Sequence, residues 1–140
     1  MANGWLLAAK REQVDEPNIR AMFAPVDRMD PDEFATCFTE DGSFCFGNAE
    51  PVVGRSDIRE AAAAFFSTID GLRHDIKGIW RGKWEQGVVY SVEAEAIYTR
   101  KDGSEVKLPV TTTLRMKGDL VQDWRVFLDI SPVYAEGGAA

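Results

Sequence analysis

The sequence predicts an α+β domain: a curved, mainly antiparallel sheet wrapped over three N-terminal helices. Three observations predict it. Before Gly71 the apolar residues recur at helical spacing, from Leu72 they alternate with polar residues, and the alternating runs are joined by short glycine-containing turns. Helices gathered in one half and strands in the other argue against the alternating order of a parallel α/β sheet.

The first helix is marked by Ile19, Met22, Phe23 and Val26, the i, i+3, i+4, i+7 stripe of an apolar face. Pro25 lies off that stripe and lacks a backbone donor, so a kink or a break is expected there. A second, short helix has an explicit start: Asp30 as N-cap, Pro31 at the first position and Glu33 at the third, the pattern of a capping box. Its buried face is Phe34, Cys37 and Phe38. The third helix runs from about Ser56 to Ile69, with Ile58, Ala62, Phe65 and Ile69 on one side and Gly71 placed to stop it.

Four long strands follow. Leu72, His74, Ile76 and Trp80 alternate with Arg73, Asp75 and Lys77. Val88, Tyr90, Val92, Ala94, Ala96 and Tyr98 form the second inward set, and Val106, Leu108, Val110, Thr112, Leu114 and Met116 the third. The last strand spans Leu120 to Ile130. The turns Glu85-Gln86-Gly87, Lys101-Asp102-Gly103 and Lys117-Gly118-Asp119 make neighbours antiparallel, so these strands form a meander. Ser43–Phe46 and Pro51–Val53 supply one or two short edge strands. Only the helices can cover the sheet. A twisted sheet of this length, covered on one face, curls into a cone and leaves a cavity beneath the helices. The expected interior includes Phe34, Phe38, Phe65, Ile76, Val92, Leu114 and Trp124.

One domain over residues 1–140 is expected, with its core at about 18–133, an arm or extra helical turn over 1–15 that carries the apolar run Trp5–Ala9, and a flexible tail over 135–140. A net charge of −7 argues against nucleic acid, whose binders need cations to displace phosphate counterions. No apolar run reaches membrane-spanning length. Cys37 and Cys45 show neither metal-ligand spacing nor a disulfide framework. Set among Phe34, Phe38, Phe44 and Phe46, they read as buried thiols of a cytoplasmic protein. There is no phosphate loop or dinucleotide fingerprint, and one histidine with scattered carboxylates makes no metal site, so no cofactor is expected.

The run Val26-Asp27-Arg28-Met29-Asp30, then Phe38-Thr39-Glu40-Asp41-Gly42, Val53-Gly54-Arg55 before a helix, the Leu108-Pro109 step and the closing Asp123–Asp129 segment resemble the nuclear transport factor 2-like superfamily. The nearest flavour is its SnoaL-like group, relatives of polyketide cyclase, ketosteroid isomerase, limonene epoxide hydrolase and scytalone dehydratase. The resemblance spans about Asn18 to Val133 and implies a cone-shaped fold with an apolar ligand pocket. Where ketosteroid isomerase carries its base, its carboxylic acid and its tyrosine, this chain has Phe46, Thr112 and Met22. At the positions of the hydrolase's Arg–Asp pair and last-strand aspartate it has Ala96, Tyr98 and Val126. Phe and Val accept no proton, so neither chemistry is expected in its known form. The first-helix aspartate and first-strand histidine of scytalone dehydratase do have counterparts, in Asp27 and His74.

His74, the single histidine, has inward parity, and Asp27 follows the apolar stripe of the first helix. A buried histidine beside a carboxylate is either a hydrogen-bonded core group or an acid–base catalyst. Tyr98, also inward, completes the catalytic candidates, with Met22, Phe23, Phe44, Phe46, Trp80, Thr112, Trp124 and Val126 expected around the pocket. Two functions stay open: a cofactor-independent acid–base enzyme (isomerase, cyclase, dehydratase or hydrolase) on a small hydrophobic molecule, or a non-catalytic binding or dimerisation module. A homodimer is expected from Val121 and Phe127, outward-facing and apolar on the last strand.

Overall fold

The computed structural model describes residues 15–135; the expected N-terminal arm and the tail from Glu136 lie outside the described residues. In chain order the elements are α1 (Glu16–Asp27), α2 (Pro31–Thr36), β1 (Phe38–Phe46), β2 (Val52–Val53), α3 (Arg55–Phe66), β3 (Gly71–Trp84), β4 (Gly87–Thr99), β5 (Glu105–Lys117), β6 (Leu120–Phe127) and α4 (Ser131–Tyr134). The fold is α+β. One six-stranded sheet has the order β2-β1-β6-β5-β4-β3, antiparallel throughout except where β1 runs parallel to β6. The four long strands form the expected meander. β1, expected as a short edge, is nine residues long and lies between β2 and β6.

α1 buries Ile19, Met22 and Phe23 as its stripe requires. Pro25 does not break it: the helix continues to Asp27 and Pro25 is itself buried. The missing donor removes only the bond to the Ala21 carbonyl, and the Pro25 carbonyl accepts from the Asp30 N–H at 2.9 Å. That same bond replaces half of the capping box. The Asp30 carboxylate accepts from the Glu33 N–H at 3.1 Å, but the Asp30 N–H is already used. α2 ends at Thr36, so Phe38 belongs to β1. α3 ends at Phe66 with Ser67 as its C-cap, well before Gly71, which opens β3. The last strand stops at Phe127, and Ser131–Tyr134 form a single helical turn.

The core lies between the inner sheet face and the helices. Phe34, Phe38, Val92, Leu114 and Trp124 are buried there, while Phe65 and Ile76 are half-buried against it. Phe34 packs edge-on against Phe38, Phe44 and Trp124 with centroids 4.9–5.3 Å apart, a geometry the ring quadrupole favours. Arg55 at the start of α3 donates to the Phe38 carbonyl at 2.8 Å and ties that helix to β1.

Two bulges overturn two inward–outward assignments. Pairing between β3 and β4 shifts between Ile76 and Gly78, so Ile79 takes the inward position opposite Val92 and Trp80 turns outward, 55% exposed. Its ring lies over Gly78, where a Cβ would stand 2.5 Å from it. Between β5 and β6 a shift after Arg115 puts Met116 opposite Val121. Val121 is therefore inward and fully buried, not part of an outer patch.

Candidate active-site cavity

Beneath the helices is a cavity of about 220 Å3, walled by α1, α2 and α3 on one side and the inner sheet face on the other. Its walls are dominated by aromatic rings, among them Phe23, Phe44, Phe46, Phe65 and Trp124. Against this background the polar groups are few: the His74 imidazole, the Tyr98 and Thr112 hydroxyls, and the Glu50 carboxylate from the loop joining β1 to β2.

Asp27 is the last residue of α1, where the helix dipole disfavours a negative charge and calls for donors nearby. His74 on β3 supplies two. Its Nδ1 lies 2.6 Å from Asp27 Oδ1, and its backbone N–H donates to Oδ2 at 3.2 Å. An ionised carboxylate only accepts, so the proton of this pair sits on Nδ1. Nε2 is then the nitrogen left for a ligand, a lone pair in the neutral ring and a donor in the charged one. The His74 side chain is 8% exposed and that of Asp27 31%. Phe23 meets the imidazole edge-on at 5.0 Å and helps to fix its plane.

Tyr98 and Thr112, each 2% exposed, lie on the inner faces of β4 and β5. Neither hydroxyl has a hydrogen-bond partner among the described residues, although both line the cavity. Burial pushes the Tyr98 phenol up, with the nearby Tyr134 and Asp27 adding to it, so the group stays protonated at ordinary pH. Among the described residues no three His, Cys, Asp or Glu side chains cluster as metal ligands.

Of the residues singled out from sequence, His74, Tyr98, Phe23, Phe44, Phe46, Thr112, Trp124 and Val126 line the cavity, and Asp27 reaches it through His74. Met22 is buried in the core without lining it, and Trp80 lies outside, for the bulge just described. Asp129 is exposed and accepts from the Ser131 N–H at 3.0 Å, an Asx turn into α4; the Ser131 side chain first, and then that N–H, hold its carboxyl below the usual range. Glu93 and Glu95 face outward, opposite Thr111 and Pro109. Cys37 and Cys45 are half-buried and unpaired; burial, then Glu33, pushes the Cys37 thiol up. Phe34, Leu72 and Glu50 are among the lining residues that sequence reasoning missed. The first two read as plain core. Glu50 sits in a turn-like Gly-Asn-Ala-Glu-Pro segment that carries no chemical signature.

The profile of the SnoaL-like domain family matches residues 19–124. No curated protein gives a significant match. Among solved structures, the chain is similar to a hypothetical protein of ketosteroid isomerase-like fold from Catenulispora acidiphila DSM 44928, in complex with trimethylamine. That match has a TM-score of 0.74 at 20% identity, over 88% of this chain and 93% of the other. TerC co-crystallised with polyporic acid gives 0.68 at 14%, covering 84% and 93%. An M. tuberculosis epoxide hydrolase resembling limonene epoxide hydrolase gives 0.66 at 13%, covering 84% of each chain. At these identities the likeness is one of fold.

Proposed function

The chain belongs to the SnoaL-like domain family, and from the Asp27–His74 pair at its cavity wall we propose that it is a cofactor-independent acid–base enzyme acting on a small hydrophobic molecule. Isomerisation, cyclisation, dehydration and hydrolysis all fit one general base with an apolar binding wall. His74 Nε2 takes a proton from the bound molecule or returns one to it. Asp27 fixes the tautomer and stabilises the imidazolium that forms. Tyr98 and Thr112 offer hydroxyls to polar atoms of the ligand. The observation that carries this reading is the 2.6 Å bond, which consumes one imidazole nitrogen while the ring lines the cavity.

The test is His74→Ala. In an enzyme, turnover falls by about 10²–10⁴, the usual contribution of a positioned acid–base group. The melting temperature hardly moves, because the freed Asp27 carboxylate is exposed enough to hydrate. Unchanged activity, or a loss of stability of about 1–3 kcal/mol with no activity to lose, assigns the pair to structure and the chain to the binding modules of this fold.

The same reading includes a cytoplasmic homodimer joined through the outer sheet face. Support for the compartment is the pair of free cysteines. Support for the dimer is the exposure of Phe127 and Trp80 on that face, both 55%. Sedimentation at tens of micromolar, an order-of-magnitude range for a specific contact, should give a dimer that Phe127→Glu dissociates. A wild-type monomer there ends this part of the proposal.

Among the described residues no helix is long and apolar enough to cross a membrane.

A further inference from the structure

The polar groups of the cavity restrict the ligand further than its apolar walls do. Resting on the reading of the cavity as a ligand site, we infer that it takes a neutral molecule of one to two rings whose oxygen is held by the Tyr98 hydroxyl, and that it rejects anions.

Size comes first. A dry apolar cavity of about 150 Å3 holds a benzene ring, and this one measures about 220 Å3, room for a second ring but not for a larger fused system. The rings of Phe44, Phe46, Phe65 and Trp124 offer offset and edge-on contacts to a planar guest.

Charge comes next. Among the described residues no lysine or arginine lines the cavity and Glu50 is the one carboxylate that does; a second, that of Asp27, is bound to His74. A bound anion loses its hydration and meets no fixed cation in return.

The hydroxyls give the remaining restriction. Among the described residues, Arg100 Nη1 is the one fully enclosed side-chain polar atom without a partner, so this fold pairs its buried polar groups almost completely. The unpaired Tyr98 and Thr112 hydroxyls depart from that habit, and both open onto the cavity. A ligand oxygen recovers the hydrogen bond each one lacks. Strand register singles out Tyr98. It stands opposite Leu72, next to the cross-strand row that joins His74 to Ala96, whereas Thr112 stands in the row of Val92 and Val126, further along the sheet. An oxygen held by Tyr98 therefore lies at the His74 end of the guest.

Equilibrium dialysis of the full chain at neutral pH against 2-naphthol, naphthalene, 2-naphthoate and benzyltrimethylammonium tests this. Naphthol should bind about five- to tenfold tighter than naphthalene, the worth of one hydrogen bond. Naphthoate should bind at least about tenfold more weakly than naphthol. Tyr98→Phe should bring the naphthol-to-naphthalene ratio close to one with naphthalene affinity kept, and Thr112→Val should leave the ratio in place. Tightest binding of either ion, no binding of any probe, or a ratio that responds to Thr112 and not to Tyr98 overturns the inference. Its failure is separable from that of the enzymatic reading. Probes that bind as described by a protein whose turnover ignores His74 remove only the enzyme, and His74-dependent turnover of an anionic substrate removes only the ligand class.

Discussion

Asp27 on the inner side of the sheet and Asp123 on the outer face are both held in hydrogen-bonded groups, and the two are assembled differently. On the outer face Asp123 accepts from the Ser43 hydroxyl, from Arg125 Nε at 2.8 Å and from Arg115 Nη1 at 3.1 Å, tying β1, β5 and β6 together. Every strong donor around it is committed within the protein. On the inner face Asp27 binds only His74 among the described residues, and the other nitrogen of that cavity-lining ring has no partner there. The first arrangement joins strands. The second joins one helix to one strand and keeps a reactive atom uncommitted, which is what acid–base work needs.

Substitution of each carboxylate should expose this difference. Asp123→Ala leaves two adjacent guanidinium groups facing each other without their counter-ion. With both arginines partly hydrated, the expected loss is about 2–4 kcal/mol in urea denaturation, toward the lower end of the cost of breaking a buried pair. Ligand affinity of the folded fraction should not change. A loss below about 0.5 kcal/mol, in the range of ordinary surface substitutions, refutes the contrast.

Asp27→Asn acts the other way round. The single amide oxygen accepts from the His74 backbone or from the ring but not from both, since the NH2 that replaces the other oxygen only donates, and it carries no charge to stabilise the imidazolium. Turnover should fall about tenfold, or roughly 1.4 kcal/mol in the barrier, with a smaller change in stability. If stability falls further than the barrier rises, Asp27 is a strut like Asp123.

Tyr98→Phe is the smallest change and the sharpest. Because its hydroxyl has no partner, removing it should cost no more than a few tenths of a kcal/mol at neutral pH, within the spread of unconstrained sites. The sign with pH follows from the raised phenol. Its contribution is fully present below the ordinary tyrosine value of about 10 and is lost as pH rises from there toward the elevated folded value. Wild type should therefore lose stability on the alkaline side relative to Tyr98→Phe. Parallel pH–stability curves for the two proteins count against a buried, unpaired phenol.

Much of this was legible in the sequence because it is local. Asp30, Pro31 and Glu33 specify a helix start within four residues, since a cap is made by neighbours. The alternation from Val88 to Tyr98 assigned the inner face of β4 correctly, since its pairing with β5 keeps register along its whole length. Trp80 and Val121 went the other way because a bulge adds one residue to one strand, and a period of two counted along a single chain has no access to the partner. The end of α3 was misjudged for a related reason: Ile69 stays buried beyond the helix, so its place on the stripe extended the period past the last helical turn.

The sequence by itself determined the fold class, the order of the strands in the meander and the inward parity of His74, all consequences of side-chain period and turn chemistry. Tertiary structure decided the site. The meeting of Asp27 with a histidine 47 positions away depends on how α1 lies across β3. Whether Tyr98 and Thr112 spend their hydroxyls on the protein or on the cavity depends on what the opposing helices leave unfilled. Packing and register between distant segments settle both, and neither leaves a trace in the spacing of residues along one chain.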